Sequence, residues 1–288
     1  PDGKSLAFQA ALDGKPEVYV MPVAGGAPTR LTAEAGNVKV LDWTQDGQSV
    51  LYATTTSWDI DNDAVLKTVP ATGGVAKKVA VPRGWFGTFL ADGRLAYVPV
   101  SNEWANWYRY KGGAADQIWI TDLRGGFRRL TRFEGVNTTP VAVGRDLYFV
   151  SEQPGVTNLA KLDPDSGRTE IVTKNTEYPV KYPGADDRRV VFEAGPFLAL
   201  YDPADGSSRT LRFALTGDRL STRPYKVPVG AFRQDFGFGP TGRRVALATR
   251  GSIVTVPVEH GESRTVYETA GARGMSPAWS PDGKPSPL

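Results

Sequence analysis

Six segments of this chain repeat one pattern: a strand of alternating apolar residues, a glycine turn and a return strand. They read EVYVMPVAGGAPTRLT (17–32), VLKTVPATGGVAKKVA (65–80), QIWITDLRGGFRRLT (117–131), NLAKLDPDSGRTEIVT (158–173), FLALYDPADGSSRTLR (197–212) and SIVTVPVEHGESRTVY (252–267). Gly26, Gly74, Gly126, Gly167, Gly206 and Gly261 align at the turns, where a tight hairpin demands positive φ. A second element precedes each copy: an apolar strand, a polar turn and another strand. It reads VLDWTQDGQSVLYAT (40–54), GTFLADGRLAYV (87–98), PVAVGRDLYFV (140–150), KYPGADDRRVVFEA (181–194) and FGFGPTGRRVALAT (236–249). In the first copy only PDGKSLAF (1–8) is present, without its leading strand, and a matching leading strand stands at the far end as GMSPAWSPDGK (274–284).

Each unit is therefore four short antiparallel strands in about 40–50 residues, the size of a propeller blade. The expected fold is an all-β, six-bladed β-propeller occupying 1–288 as one domain. Its blades fall at 1–32 with 274–284, 37–81, 85–131, 138–173, 178–212 and 233–267. Residues 275–280 are expected to pair with residues 5–8, completing blade 1 and closing the ring, which would remove an open sheet edge. The rival is that 274–284 opens a seventh blade, but PSPL (285–288) offers little further ladder because proline donates no N–H. No sustained helical period appears, so helices are expected only in loops.

The hydrophobic fraction of 40% supports a sizeable core. A net charge of +3 is too small a surplus to suggest nucleic acid, which selects a concentrated basic face. The absence of cysteine excludes disulfides and thiolate metal sites. No apolar run approaches the ~20 residues of a membrane span. The chain starts at Pro1 rather than Met, as a mature or excised segment would.

Chemistry is sparse. The single histidine, His260, lies beside the last turn glycine and reads as a solvated turn residue; with no evident partner it makes no nucleophile–base pair. Asp59, Asp61 and Asp63 alternate as in Ca²⁺ loops, but the turn glycine and bidentate glutamate of such loops are missing. No metal or cofactor is expected. The leading strands offer Asp42, Lys181 and Asp235, too few for a metal- or carboxylate-based propeller enzyme. Arg128–Arg129, Arg188–Arg189 and Arg243–Arg244 read as solvated turn residues that protect strand edges.

Two insertions break the blade pattern, at 101–116 and 215–230. Insertions in a regular scaffold are where recognition tends to sit. The first is rich in aromatics and bases. Trp107 and Tyr110 are expected to pin it down, with Gly112 and Gly113 turning the chain. Trp104, Tyr108 and Arg109 are expected to face a partner. Arg233, Gln234 and Asp235 lead into the innermost strand of blade 6 and are expected at the channel mouth, an Arg–Asp pair holding the insertion being the alternative.

The repeat with SPDGK, IWITDL and GG turns is similar to the TolB-like propellers. WYRYKGGAADQIWI (107–120) and YKVPVGAFRQDFGFGPTGRRVALATRG (225–251) sharpen this. The first resembles the W-x-x-Y-x-G-G…I-W-I stretch of the N-terminal six-bladed propeller of tricorn-type serine peptidases, and the second resembles that propeller's last blade. The resemblance implies a non-catalytic domain that guides peptides or gates an active site carried by later domains. Its partners would be a peptide, a protein or the catalytic domains of a parent peptidase. It carries over no catalytic residue, and it implies an exported or periplasmic setting through the export signals of bacterial relatives. The alternative is a free-standing TolB-like scaffold that binds a protein on one face.

Overall fold

The structure, a computed structural model, describes residues 1–55, 64–101, 109–214 and 229–283. It divides into two compact units, Pro1–Ala214 and Leu215–Leu288.

The first unit holds five antiparallel sheets in chain order. The first is β1 (Ser5–Ala10), β2 (Glu17–Pro22) and β3 (Thr29–Arg30), and the second is β4 (Val38–Trp43), β5 (Ser49–Thr55), β6 (Ala64–Pro70) and β7 (Lys77–Lys78). The third is β8 (Phe86–Phe89), β9 (Leu95–Val98), β10 (Trp119–Thr121) and β11 (Phe127–Arg129). The fourth is β12 (Asn137–Val143), β13 (Asp146–Ser151), β14 (Asn158–Leu162) and β15 (Thr169–Ile171). The fifth is β16 (Val180–Ala185), β17 (Val190–Ala194), β18 (Phe197–Asp202) and β19 (Ser207–Thr210). The second unit holds one sheet: β20 (Arg233–Phe238), β21 (Arg244–Thr249), β22 (Ser252–Pro257) and β23 (Arg264–Tyr267). Within each sheet the strands neighbour one another in chain order, as the hairpin repeats dictate. The one helical element among the described residues is a 3-10 turn at Val229–Phe232.

Packing in the first unit follows from the second strand of each sheet. Along β5, Val50 and Tyr52 enter the core against the first sheet, while Leu51 and Ala53 enter the core against the third. Leu95 and Tyr97 of β9 face the second sheet; Ala96 and Val98 face the fourth. Along β13, Leu147 and Phe149 face back and Tyr148 and Val150 face forward. A strand buried on both faces reads as a continuous apolar run, and its period of two distributes that run between two cores. Successive sheets thus stack face to face.

The first strands also neighbour one another: β4 lies beside β8, β8 beside β12 and β12 beside β16. Three of these four carry a bulge, between Val40 and Asp42, Thr138 and Val141, and Lys181 and Gly184. At two of them a residue with positive φ stands directly before proline, Thr139 (φ 50°) and Tyr182 (φ 48°). Proline without an N–H is tolerated in a strand where the ladder is already interrupted.

Three junctions repeat one polar clasp. The Thr131 hydroxyl donates to Gln117 Oε1 (2.7 Å) and accepts from the Ile118 N–H (3.1 Å). Thr173 does the same with Asn158 and Leu159 (2.9 Å each), and Thr32 with Glu17 and Val18 (2.6 and 3.0 Å). Each clasp ties the start of a sheet's last hairpin to the residue two positions beyond its end. Burial raises the Glu17 carboxyl, but hydrogen bonds from Thr32, the Glu34 N–H and Lys15 hold it below its ordinary value on balance.

One expectation is corrected. The glycine in left-handed conformation at the third turn is Gly125 (φ 113°), not Gly126. Within its own unit β1 pairs with β2 in a three-stranded sheet, and within the other unit residues 275–280 carry no strand. Pro277 cannot donate to a ladder, and Trp279 docks within its own unit, donating its indole N–H to the Gly237 carbonyl (3.1 Å).

Candidate contact surface

The insertion at 101–116 rises from a buried polar frame. The Ser101 hydroxyl donates to Asp116 Oδ2 (2.8 Å), and the Asp116 carbonyl accepts from the Asn137 N–H (2.9 Å). Both side chains are almost fully buried. On the return arm, Arg109 takes φ 64°. Its backbone N–H donates to Glu152 Oε1, and the Glu152 carboxylate is 4% exposed. The Arg109 side chain is left exposed. A buried acceptor thus fixes the backbone of a residue whose guanidinium faces outward, and guanidinium forks suit carboxylates. Tyr110 folds over Gly112, where an added Cβ would meet the phenol oxygen at 2.0 Å, so it packs on the turn of the insertion itself. Trp104, Trp107 and Tyr108 lie outside the described residues, as do Asp59, Asp61 and Asp63.

In the second unit, Arg233 and Asp235 are exposed and flank the β20 bulge, with Gln234 the extra residue. Instead of pairing with Asp235, Arg233 donates its Nε to the Gly230 carbonyl (3.1 Å). The Asp235 carboxylate accepts from its neighbour, the Phe236 N–H (2.8 Å). Phe236 and Phe238 stand 61% and 65% exposed, ring centroids 5.8 Å apart and edge to face. Sequence reading treated this F-G-F as ordinary strand. The available signal was Gly237, where a Cβ would lie 2.6 Å from the Pro277 carbonyl, so the glycine face of β20 accepts the terminal segment.

The leading-strand acids do not assemble a ligand set. The Asp42 carboxylate accepts from the Thr88 hydroxyl of β8 (2.5 Å) and from the Trp43 N–H (2.7 Å), and so ties two first strands together. Burial outweighs these bonds and pushes its pKa up. Among the described residues no group of three potential metal ligands exists. His260 is exposed in the turn between β22 and β23. Not all the arginine doublets are merely solvated. Arg129 donates to the Thr131 carbonyl and to Gln117, Arg128 donates to the Pro164 carbonyl, and Arg244 donates to Thr255 and to the Glu262 carbonyl. Glu152 went unseen because it is 43 positions from Arg109. No helix in the described residues is long and apolar enough to cross a membrane.

Comparison with known proteins agrees with this architecture. Tricorn protease homolog 1 of Streptomyces coelicolor is 32% identical over 287 residues, covering 96% of this chain and 26% of that protein. The crystal structure of the tricorn protease matches with a TM-score of 0.69 at 22% identity, over 95% of this chain and 27% of that one. TolB from Acinetobacter baumannii matches with a TM-score of 0.57 at 17% identity, over 92% of this chain and 66% of that one. The chain thus spans about a quarter of the length of its tricorn relatives. The family model for the tricorn protease N-terminal beta propeller domain matches residues 1–207, four whole sheets and most of the fifth, and this chain belongs to that family.

Proposed function

We propose that this chain is the non-catalytic propeller domain of a tricorn-like serine peptidase, its six sheets forming the six blades of one propeller. Its own task is to hold peptides, or neighbouring catalytic domains, on surfaces that the blades leave exposed. The observation that carries this reading is the Glu152–Arg109 arrangement: a buried carboxylate that takes the backbone N–H groups of Arg109 in the insertion and of Val136, with the basic side chain of Arg109 presented to solvent. Blade strands bury their side chains in the stacked cores, so recognition falls to insertions and bulges. Arg109, with Trp104 and Tyr108 beside it in sequence, supplies one contact element. Arg233 and Asp235, at the β20 bulge, supply another.

The experiment is peptide binding followed by fluorescence anisotropy on the whole chain and on the Trp104→Ala/Tyr108→Ala double variant. The expected result is unchanged melting with affinity lowered at least about tenfold, as when aromatic anchors are lost. Unchanged affinity, or loss of folding, overturns the assignment of these aromatics to the contact surface.

A further inference from the structure

At the start of β18 the core-facing stripe of the fifth sheet runs out of cover. Phe197, Ala199 and Tyr201 share one face by the period of two. Ala199 and Tyr201 are buried in the core against the fourth sheet, while Phe197 is 51% exposed. Tyr178, just ahead of β16 and 37% exposed, comes over to it: the ring centroids lie 6.4 Å apart, edge to face at 71°. The Tyr178 ring rests on Gly195, in the turn between β17 and β18, where an added Cβ would meet ring carbons at 2.4 and 2.5 Å. Gly195 also takes φ 60°. Both the space and the backbone there require glycine, and the ring that lies on it is held in place.

The ring pair adjoins the turn that holds Arg109. That turn, 152–157, opens on Glu152, whose carboxylate accepts the Arg109 N–H. It closes on Thr157, whose hydroxyl donates to the Val180 carbonyl (2.9 Å) and whose carbonyl accepts the Val180 N–H (2.9 Å). Val180 stands two positions after Tyr178. The insertion and the ring pair therefore flank one turn of the fourth sheet. Charges of both signs stand at the edge of the pair. The Tyr178 phenol hydrogen-bonds the Glu177 carboxylate, which raises its pKa. The Leu211 N–H donates to the Leu198 carbonyl (2.8 Å), which extends the β18–β19 register and brings Arg212 beside Phe197.

We infer that Tyr178 and Phe197 form a platform that takes an aromatic side chain of the peptide whose path runs past Arg109. Two rings in edge-to-face contact present a face and an edge on which a third ring packs. Because Gly195 and the neighbouring ring already fix Tyr178, little side-chain freedom is lost on binding. The balanced charges at the edge suit a neutral occupant, whereas Arg109 suits a carboxylate. The platform is thus the apolar counterpart of the Arg109 contact, on the other flank of the same turn.

The platform rests on the peptide-binding reading, and the test separates the two. The whole chain is titrated calorimetrically with the free acids N-acetyl-Phe-Ser-Phe-Ser-Phe-Ser and N-acetyl-Ala-Ser-Ala-Ser-Ala-Ser. The alternation offers a ring in several registers. The phenylalanine peptide is expected to bind about tenfold tighter, the gain from partly burying one ring. Phe197→Ala is expected to remove that preference and to leave melting and the affinity for the alanine peptide unchanged. Tyr178→Ser is expected to remove the preference too, and serves if Phe197→Ala fails to fold. Equal binding of both peptides by the unaltered chain overturns the platform and leaves peptide binding standing. A preference that survives both substitutions places the ring site elsewhere and overturns the platform as well. Self-association of the unaltered chain that Phe197→Ala abolishes gives the rings to a second copy and overturns the peptide as their occupant. Binding of neither peptide overturns the platform and the peptide-binding reading together.

Discussion

Arg109 holds a left-handed conformation at φ 64°, which costs an L side chain about 1–2 kcal/mol. The Glu152 carboxylate offsets that cost by taking the Arg109 N–H. Glycine adopts the same backbone freely. Arg109→Gly should therefore keep the fold and raise stability by less than about 1 kcal/mol, given the entropy glycine adds to the unfolded chain. It should also weaken peptide binding. Chemical denaturation and anisotropy on the same variant check both; a drop in stability would show that the guanidinium anchors the insertion. Asp42 makes a second residue-scale prediction. Burial raises its folded pKa above the unfolded value, so the folded state binds more protons between the two. Its contribution to stability therefore falls as pH rises through that window. Asp42→Asn should flatten this part of the stability–pH curve, measured by denaturant midpoints across the acidic range. A curve that keeps its slope assigns the dependence to other carboxylates.

At the scale of the element, the clasps hold hairpin to hairpin. Thr131 is 3% exposed and accepts the Ile118 N–H while donating to Gln117. Thr131→Val keeps the shape but leaves a buried N–H unpaired, at a cost of about 1–3 kcal/mol. Denaturation is expected to show that loss, with strand content unchanged in circular dichroism; a neutral variant would mean that the junction is held by packing alone. The strands themselves were legible because double-faced burial leaves runs such as Val50–Leu51–Tyr52–Ala53 and Leu147–Tyr148–Phe149–Val150. The terminal segment carries a mark of its own in the backbone. Ser276 at φ 50° stands before Pro277 as Thr139 stands before Pro140 and Tyr182 before Pro183, so the segment keeps the backbone habit of a first strand. It forms no ladder, and its tryptophan packs on the glycines of β20 instead. The clasps were half visible, in the L-T and V-T that recur after three of the return strands, but their partners lie 14–15 residues upstream.

At the scale of the molecule, six sheets arise from one repeated unit, and chemistry-bearing residues are pushed to insertions and bulges. That economy explains why the fold could be read from a single sequence and the contact surface only in part. Repeats announce themselves by self-similarity, whereas Glu152 and Asp42 matter through neighbours far along the chain. The central claim, that this propeller domain binds peptides without cleaving them, is tested most directly on one sample. A fluorescent peptide is titrated to saturation against the whole chain, held at equilibrium, and then recovered for mass spectrometry. The account predicts a saturable isotherm, intact peptide, and an affinity about tenfold lower for Arg109→Ala at unchanged melting temperature. Cleaved peptide whose cleavage disappears with His260→Ala, or no binding at any concentration, would contradict it.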